Sequence, residues 1–162
     1  MLVCATIGLS ACSLALPGGP ATDDPDPAFG ATALRLLELV NEARAEPRAC
    51  GARGAFDATH PLELEPRLER AAQRHSDDMV NGGFFSHTGS DGSSPAERVA
   101  REGYAWAAVG ETIAAGHSTP EWAVSAWLAS DGHCAIIMGP RFTQLGAGVA
   151  NLRWTLVFAR PR

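Results

Sequence analysis

The chain has 162 residues, of which 46% are hydrophobic and 19% are charged. This length supports one well-buried domain and is too short for two ordinary domains. The formal net charge is −5, and all 13 basic side chains are arginine. An acidic chain without an arginine-rich run argues against a general nucleic-acid binder.

The first twelve residues form an apolar run that is too short to span a bilayer as a mature helix. Its last four residues, Leu9-Ser10-Ala11-Cys12, resemble the bacterial lipobox, in which small residues admit the signal peptidase and the cysteine is acylated. We expect residues 1–11 to be a lipoprotein-type signal peptide and Cys12 to carry a lipid that holds the protein at the membrane. A plain secretory signal is the alternative. Either signal predicts an extracytoplasmic protein, lipid-anchored at the bacterial cell envelope or secreted.

A proline-rich segment follows the apolar run. Four prolines lie from Pro17 to Pro27, and the residues among them offer almost nothing to bury. Because this composition opposes regular secondary structure, we expect residues 12–32 to be a disordered tether. Residues 33–162 are assigned to one folded domain.

Two cysteines, Cys50 and Cys134, remain once the signal peptide has taken Cys4 away and Cys12 is assigned to the lipid. In an exported protein, two remaining thiols most simply form a disulfide. Free thiols or a zinc-thiolate site are the alternative, although no CxxC spacing supports zinc. A Cys50–Cys134 bond would stabilise the fold by about 4 kcal/mol in the chain-entropy description.

Apolar periodicity, capping residues and prolines predict four helices and a strand-forming C-terminus. The helices are expected from Ala33 to Glu46, Pro66 to Gly82, Pro95 to Glu102 and Pro120 to Ser130. A short extended piece is expected from Pro61 to Leu64, and two strands from Leu145 to Ala150 and from Trp154 to Ala159, joined by a turn at Asn151. Helices first and strands last indicate an α+β layered domain.

Three aromatic or imidazole side chains on these helices are interpreted as core residues. His75 shares the apolar face of the second helix, so a buried histidine satisfied by one hydrogen bond is favoured over a ligand role. Trp122 and Trp127 of the fourth helix are interpreted as core residues rather than ligand platforms.

Three polar islands interrupt the apolar second half of the chain. They are Phe85-Ser86-His87, Gly110-Glu111-Thr112 and Gly132-His133-Cys134. We expect each island to fall in a loop or at a helix end, where a rigid scaffold displays polar side chains. This arrangement predicts that His87, Glu111 and His133 converge on one polar site. Asp91 and Asp131 are interpreted as loop residues that bind backbone amides.

Several sequence islands occur in order along the folded part. They are Leu37-Glu38-Leu39-Val40-Asn41-Glu42-Ala43-Arg44, Ala71-Ala72-Gln73-Arg74-His75-Ser76-Asp77-Asp78-Met79, Phe84-Phe85-Ser86-His87, Gly103-Tyr104, Gly110-Glu111-Thr112-Ile113-Ala114, Trp127, Ser130-Asp131-Gly132-His133 and Phe142-Thr143-Gln144-Leu145-Gly146-Ala147-Gly148. Together they resemble the bacterial branch of the CAP superfamily, which groups cysteine-rich secretory proteins, antigen 5 and pathogenesis-related 1 proteins. The resemblance covers roughly Leu34 to Phe158. It implies a three-layer α-β-α sandwich of the α+β class, a secreted or surface location and a cleft lined by His and Glu.

The resemblance also assigns site residues. His87 matches the first family histidine, and Glu111 matches the acidic residue of the family's Gly-Glu-Asn motif. Ser130 and Arg141 stand where many animal and plant members have a second Glu and another His. We therefore expect His133, from the bacterial Gly-His pattern, to supply the second imidazole.

Two neutral imidazoles and a carboxylate suit a borderline divalent ion such as zinc. His87 and His133, with Glu111, are therefore candidate metal ligands. If the two histidines suffice for the metal, Glu111 is free to act as a general base. The alternative is that Glu111 only links the histidines and the loop backbone by hydrogen bonds.

The favoured interpretation is a surface-anchored binding module. Its cleft, with His75, His87, Glu111 and His133, would take a lipid-like or other small ligand, or a protein partner. Lipid binding is implied by the family resemblance alone. A metal-dependent hydrolase that acts on envelope peptides is the rival interpretation, and an architectural envelope protein is the third.

Overall fold

The fold comes from a computed structural model that describes residues 27–162. The expected signal peptide, the lipidation site Cys12 and the first part of the expected tether therefore lie outside the described residues. The helices are α1 Pro27–Arg44, α2 Pro66–Asn81, α3 Pro95–Arg101, α4 Pro120–Leu128 and α5 Asp131–Ile137. The strands are β1 Arg48–Ala49, β2 Ala55–Phe56, β3 Glu63–Leu64, β4 Trp106–Ala115, β5 Gln144–Ala150 and β6 Arg153–Pro161.

A mixed four-stranded sheet forms the middle of the domain. Its strand order is β3-β5-β6-β4, in which β3 and β5 are parallel and the other neighbours are antiparallel. β5 and β6 are joined by Asn151 and Leu152, whose φ angles are 39° and 60°. Two consecutive positive φ values are typical of the tight turn that connects twisted antiparallel strands. The predicted C-terminal hairpin is therefore confirmed.

The two faces of the sheet are covered by different helices. On β6, Leu156 and Phe158 face a core shared with α1, α4 and α5, whereas Val157 and Ala159 face a core shared with α2 and α3. This alternation follows from the two-residue period of a strand. The result is a three-layer α-β-α sandwich, which confirms the predicted fold class. Within residues 27–162, no helix has the length and apolar character that spanning a membrane requires.

Close contact between α2 and β5 depends on two glycines. A Cβ atom at Gly146 would lie 2.1 Å from the backbone of Leu68, and one at Gly148 would lie 2.3 Å from the backbone nitrogen of Gln73. Because real Cβ atoms do not approach so closely, only glycine allows α2 to lie directly on the strand. This contact sets the depth at which α2 presents its inner face to the site.

Helix α5 is held at its C-terminal end by a buried arginine. Arg44 of α1 has no exposed surface, and its guanidinium donates hydrogen bonds to the carbonyl oxygens of Ile137 (2.6 Å), Gly139 (3.0 Å), Phe142 (3.3 Å) and His60 (3.0 Å). Burial lowers the pKa of Arg44 to about 10, so it remains charged at neutral pH. A cation at the C-terminus of a helix also interacts favourably with the helix dipole.

The first turns of α5 are held by the predicted disulfide. Cys50 and Cys134 are bonded, with their Cα atoms 5.4 Å apart, and both are buried. Asp131 accepts a hydrogen bond from the backbone N–H of Ala52 at 2.8 Å, which confirms that it binds a backbone amide, although it is the first residue of α5 and not a loop residue. The helix that carries His133 is therefore fixed at both ends.

One of the three polar islands occupies an element that differs from the prediction. Gly110-Glu111-Thr112 lies inside β4 and is therefore neither in a loop nor at a helix end. Gly110 resembled a loop residue, but a Cβ there would lie 2.8 Å from Cζ of Phe142, so the glycine allows close packing. The island with His87 lies in a loop, and the island with His133 lies at the N-terminal end of α5, so both are placed as expected.

Two further expectations are corrected. Helix α1 begins at Pro27 rather than at Ala33, so residues 27–32 are helical and are not part of a disordered tether. Proline suits the first turn of a helix.

Trp122 is 55% exposed and is not a core residue, because α4 turns Ala123 and Trp127 inward instead. Trp127 is 1% exposed, which confirms its predicted place in the core.

Candidate functional site

The carboxylate of Glu111 is the centre of a buried polar cluster. Its side chain is 2% exposed, and each of its oxygens has a different partner. Nδ1 of His87 donates to Oε1 at 2.8 Å, and Nη2 of Arg98 donates to Oε2 at 2.6 Å. Hydrogen bonds between charged groups are among the strongest in proteins. Glu111 therefore stays paired in an interior position where a lone carboxylate would be costly.

Arg98 also holds the loop that carries His87. Its Nη1 donates to the carbonyl oxygens of His87 (3.1 Å) and Ser93 (2.8 Å). Arg98 can do this because Ser94 and Glu97 form a capping box that begins α3 immediately after the loop. One guanidinium thus sets the position of both the backbone of His87 and the carboxylate that its ring contacts.

The bond to Glu111 defines the state of the His87 ring. Since Nδ1 donates its hydrogen to the carboxylate, Nε2 is the nitrogen without a hydrogen in the neutral ring. The side chain is 50% exposed, so this ring reaches the solvent. Orientation of an imidazole by a carboxylate is the usual second-layer arrangement around histidines that bind metals or act as bases.

His133 approaches His87 from α5. The ring centroids of the two residues are 6.4 Å apart, with an angle of 57° between the planes. Burial lowers the pKa of His133, and the neighbouring His87 lowers it further. The structure thus brings together the two imidazoles that the sequence analysis expected to converge.

His75 was expected to line the cleft, but the structure places it behind the cluster, away from the cleft. Its side chain has no exposed surface, and its Nε2 donates to the carbonyl oxygen of Ser86 at 2.8 Å. The same nitrogen lies 3.9 Å from Oε1 of Glu111. His75 is inaccessible because it shares the inner face of α2 with the core. Burial lowers its pKa, and it supports the loop of His87.

The arrangement suits two metal ligands better than three. Across residues 27–162, no three His, Cys, Asp or Glu side chains are grouped so that they could hold a metal ion. Glu111 is close enough to His87 for a hydrogen bond, but its other oxygen is bonded to Arg98, whose positive charge opposes a cation there. Of the three predicted ligands, His87 and His133 are therefore the ones whose chemistry fits an ion, with Glu111 as the group that orients His87.

The cleft beside this cluster has a volume of about 330 Å³. Its walls are the beginning of α3, the middle of β4 and the ring of His87. The lining residues are His87, Ser94, Pro95, Ala96, Val109, Gly110 and Glu111. The lining therefore combines three polar side chains, those of His87, Ser94 and Glu111, with small or apolar residues.

Arg98 is the site residue that sequence reasoning missed. The expected buried carboxylate required a cation, and Arg98 follows the capping box of the helix next to His87. An arginine on the helix after His87 is thus a candidate partner for Glu111, but the sequence does not choose between Arg98 and Arg101. Arg101 lies on the same short helix and pairs with Asp91 instead. Asp91 also accepts from the backbone N–H of Ser93, as expected.

Comparison with known proteins identifies the family. Residues 37–158 match the sequence profile of the CAP, or cysteine-rich secretory protein, family. The chain is 36% identical over 126 residues to the uncharacterized protein YkwD of Bacillus subtilis (strain 168), in an alignment that covers 76% of this chain and 45% of that protein.

Solved structures show the same fold. An extracellular protein containing a SCP domain from Bacillus anthracis str. Ames is similar with a TM-score of 0.72 and 28% identity, over 88% of this chain and 45% of that chain. An outer surface protein from Borrelia burgdorferi is similar in fold alone, with a TM-score of 0.62 and 17% identity, over 80% of this chain and 89% of that chain. The chain spans less than half the length of YkwD and of the Bacillus anthracis protein. With three quarters of its length matched, the chain belongs to the cysteine-rich secretory protein (CAP) family.

Proposed function

We propose that the protein is an extracytoplasmic binding module whose ligand enters the cleft beside His87 and Glu111. The observation that carries this proposal is the engagement of both Glu111 oxygens, one by His87 and the other by Arg98. A general base must be able to take a proton from water or substrate. A carboxylate bonded to an arginine and a histidine serves better as a fixed wall of a binding site than as a catalyst.

The cleft suits a ligand that is partly apolar. Pro95, Ala96 and Val109 offer apolar contact, and His87 offers a hydrogen bond. Binding sites typically combine a mainly apolar wall with a few fixed polar groups. This composition supports a small ligand, including a lipid-like one, or a segment of a protein partner.

The proposed location is the outside of the cell membrane. The similar Bacillus anthracis protein is described as extracellular, and the lipobox-like Leu9-Ser10-Ala11-Cys12 would provide a lipid anchor at Cys12. An anchored domain would meet lipids and envelope proteins as its nearest partners.

A divalent ion such as zinc is a second part of the proposal. Nε2 of His87 and the ring of His133 would hold it, and water would complete its coordination. Bound there, the ion would polarise a ligand or acidify a water molecule. The oriented, exposed ring of His87 is also the observation that favours the rival function, a metal-dependent hydrolase of envelope peptides.

The binding proposal is tested by NMR titration of the isotope-labelled full chain with short fatty acids and short peptides. Shifts should concentrate on residues of the cleft and should disappear in Ala96→Arg, which fills it. Glu111→Gln separates binding from catalysis. Turnover of envelope peptides by the wild type that is lost in a folded Glu111→Gln variant would overturn the binding module in favour of the hydrolase.

The metal proposal is tested by zinc titration calorimetry. The wild type should bind zinc stoichiometrically, and the double variant His87→Ala/His133→Ala should not. His117→Ala is the matched control, since this histidine contacts Trp122 at the start of α4 and is not part of the site. Absence of binding by the wild type, or binding that survives the double variant, would reject an ion at this position.

A further inference from the structure

Strand β4, which has one free edge, lines the cleft. Among the described strands β4 pairs only with β6, so one of its edges has no strand partner. Its residues Val109, Gly110 and Glu111 line the cavity. A strand edge carries backbone N–H and C=O groups that can bind another extended chain.

The register shows which residues turn these groups toward the free edge. In an antiparallel pair, residues that exchange backbone hydrogen bonds with the partner strand alternate with residues that exchange none. Gly116 N donates to the carbonyl oxygen of Leu152 at 3.0 Å, and the register continues without interruption back past Gly110. Gly110 is therefore bonded to β6, whereas the N–H and C=O groups of Val109 and Glu111 point to the free edge.

A side-chain contact farther along β4 agrees with this assignment. The carbonyl oxygen of Ile113, two residues after Glu111, accepts a hydrogen bond from Nε1 of Trp127 at 2.9 Å. Trp127 thus covers the edge at Ile113 from α4. The part of the edge that lies in the cleft is short, and its two outward-facing residues are separated by roughly 7 Å along the strand.

The sequence here lacks the features that usually protect a strand edge. Native edges are commonly blocked by charged side chains or proline. The segment Val109-Gly110-Glu111 has one charged side chain, and that carboxylate is 2% exposed and held inward by Arg98. The segment itself therefore places no exposed charge over this part of the edge.

We propose that the cleft binds an extended peptide segment, which adds to β4 as a fifth strand through the backbone groups of Val109 and Glu111. Strand addition provides main-chain hydrogen bonds, and the cleft walls select side chains. Pro95 and Ala96 offer a small apolar wall to one such side chain. The backbone of the peptide would then pass beside His87. This inference rests on the proposed binding function and names the chemistry of its ligand.

The probe is obtained by selecting random heptapeptides displayed on phage against the immobilised full chain. The affinity of a selected, synthesised peptide is then measured for Val109→Pro and for its matched control, Val109→Ala. Both variants lose the valine side chain, but only proline removes the outward N–H, and an edge strand tolerates proline because that N–H is not bonded to β6. We expect Val109→Pro to bind about tenfold more weakly than Val109→Ala, as the loss of one hydrogen bond predicts.

Ala96→Arg and peptide methylation complete the experiment. Ala96→Arg should abolish binding because it fills the cleft, and methylation of alternate peptide nitrogens should weaken it. Equal affinity of Val109→Pro and Val109→Ala, together with loss in Ala96→Arg, would overturn strand addition and leave the cleft as a binding site. A peptide indifferent to all three substitutions binds elsewhere, and failure to select any peptide has the same meaning for the inference. Both outcomes overturn the inference. The NMR titration with small ligands then tests separately whether the cleft is a binding site.

Discussion

Two buried arginines in this domain differ in one kind of partner. Arg44 donates only to backbone carbonyl oxygens, those of His60, Ile137, Gly139 and Phe142. Arg98 also binds carbonyl oxygens, but its second nitrogen pairs with a carboxylate. A guanidinium that meets only the backbone fixes the path of the chain. One that also meets a carboxylate fixes another side chain, which makes it part of a site.

Replacing Arg44 should have the largest effect on stability. Arg44→Met preserves much of the apolar stem but leaves several buried carbonyl oxygens without a donor. Unsatisfied buried polar groups cost about 1–3 kcal/mol each before relaxation, so we expect a loss of about 4 kcal/mol in the free energy of unfolding. Urea unfolding measures it, with the exposed Arg160→Met as the control. A loss below about 1 kcal/mol would show that water replaces the guanidinium and would remove the contrast with Arg98.

Breaking the Arg98–Glu111 pair should cost slightly less, and the cost should be recoverable. Glu111→Gln leaves a buried guanidinium without its counter-charge, so we expect a loss of about 3 kcal/mol. The double variant Arg98→Met/Glu111→Gln removes both charges and should lose less than the two single variants added together. A thermodynamic cycle from urea unfolding measures this coupling. Strict additivity would mean that the pair is not an energetic unit.

The smallest expected effect is the part of the pH dependence of stability that comes from His75, behind the Glu111 cluster. Burial lowers the pKa of His75, Arg98 lowers it further, and Glu111 and Asp78 oppose the shift. Because the folded-state pKa lies below the unfolded value of about 6.5, protonation favours the unfolded chain, and stability falls as the pH drops below about 6.5. His75→Gln keeps a donor for the carbonyl oxygen of Ser86 and should remove part of this fall.

The measurement is the difference in unfolding free energy between about pH 7.5 and pH 5.5. We expect the wild type to lose more stability than His75→Gln, by about 1 kcal/mol or less. The same difference measured in Arg44→Met should equal that of the wild type, since no histidine shift depends on Arg44. If wild type and His75→Gln have the same pH dependence, groups other than His75 cause the loss of stability at low pH.

Sequence patterns were sufficient to predict those features that depend on contacts between residues close in the chain or on a simple count of residues. The start of α3 follows from Ser94 and Glu97, whose side chains and backbone satisfy each other within four residues. The C-terminal hairpin follows from two apolar runs around Asn151. The pairing of Cys50 with Cys134 follows from a count of the available thiols. Each of these signals is local or combinatorial, and none requires knowledge of distant packing.

Distant packing determined the features that sequence patterns did not identify. Glu111 stands in a strand rich in alanine and glycine, and this strand exists because β6 pairs with it and Phe142 packs against Gly110. Trp122 has a large apolar side chain, which is typical of a core residue, but it lies on the outer face of α4. The choice of Arg98 as the partner of Glu111 depends on contacts between different elements.

Residue types and local order were therefore enough to establish the family and the helix boundaries near caps, and to name His87, Glu111 and His133 as candidate site residues. The ion pair at the centre of the site, the open edge of β4 and the exclusion of His75 from the cleft emerged from the folded arrangement. The physical reason is that helix caps and turns are satisfied within a few residues. Burial, charge pairing and strand edges are properties of segments that meet only after the chain has folded.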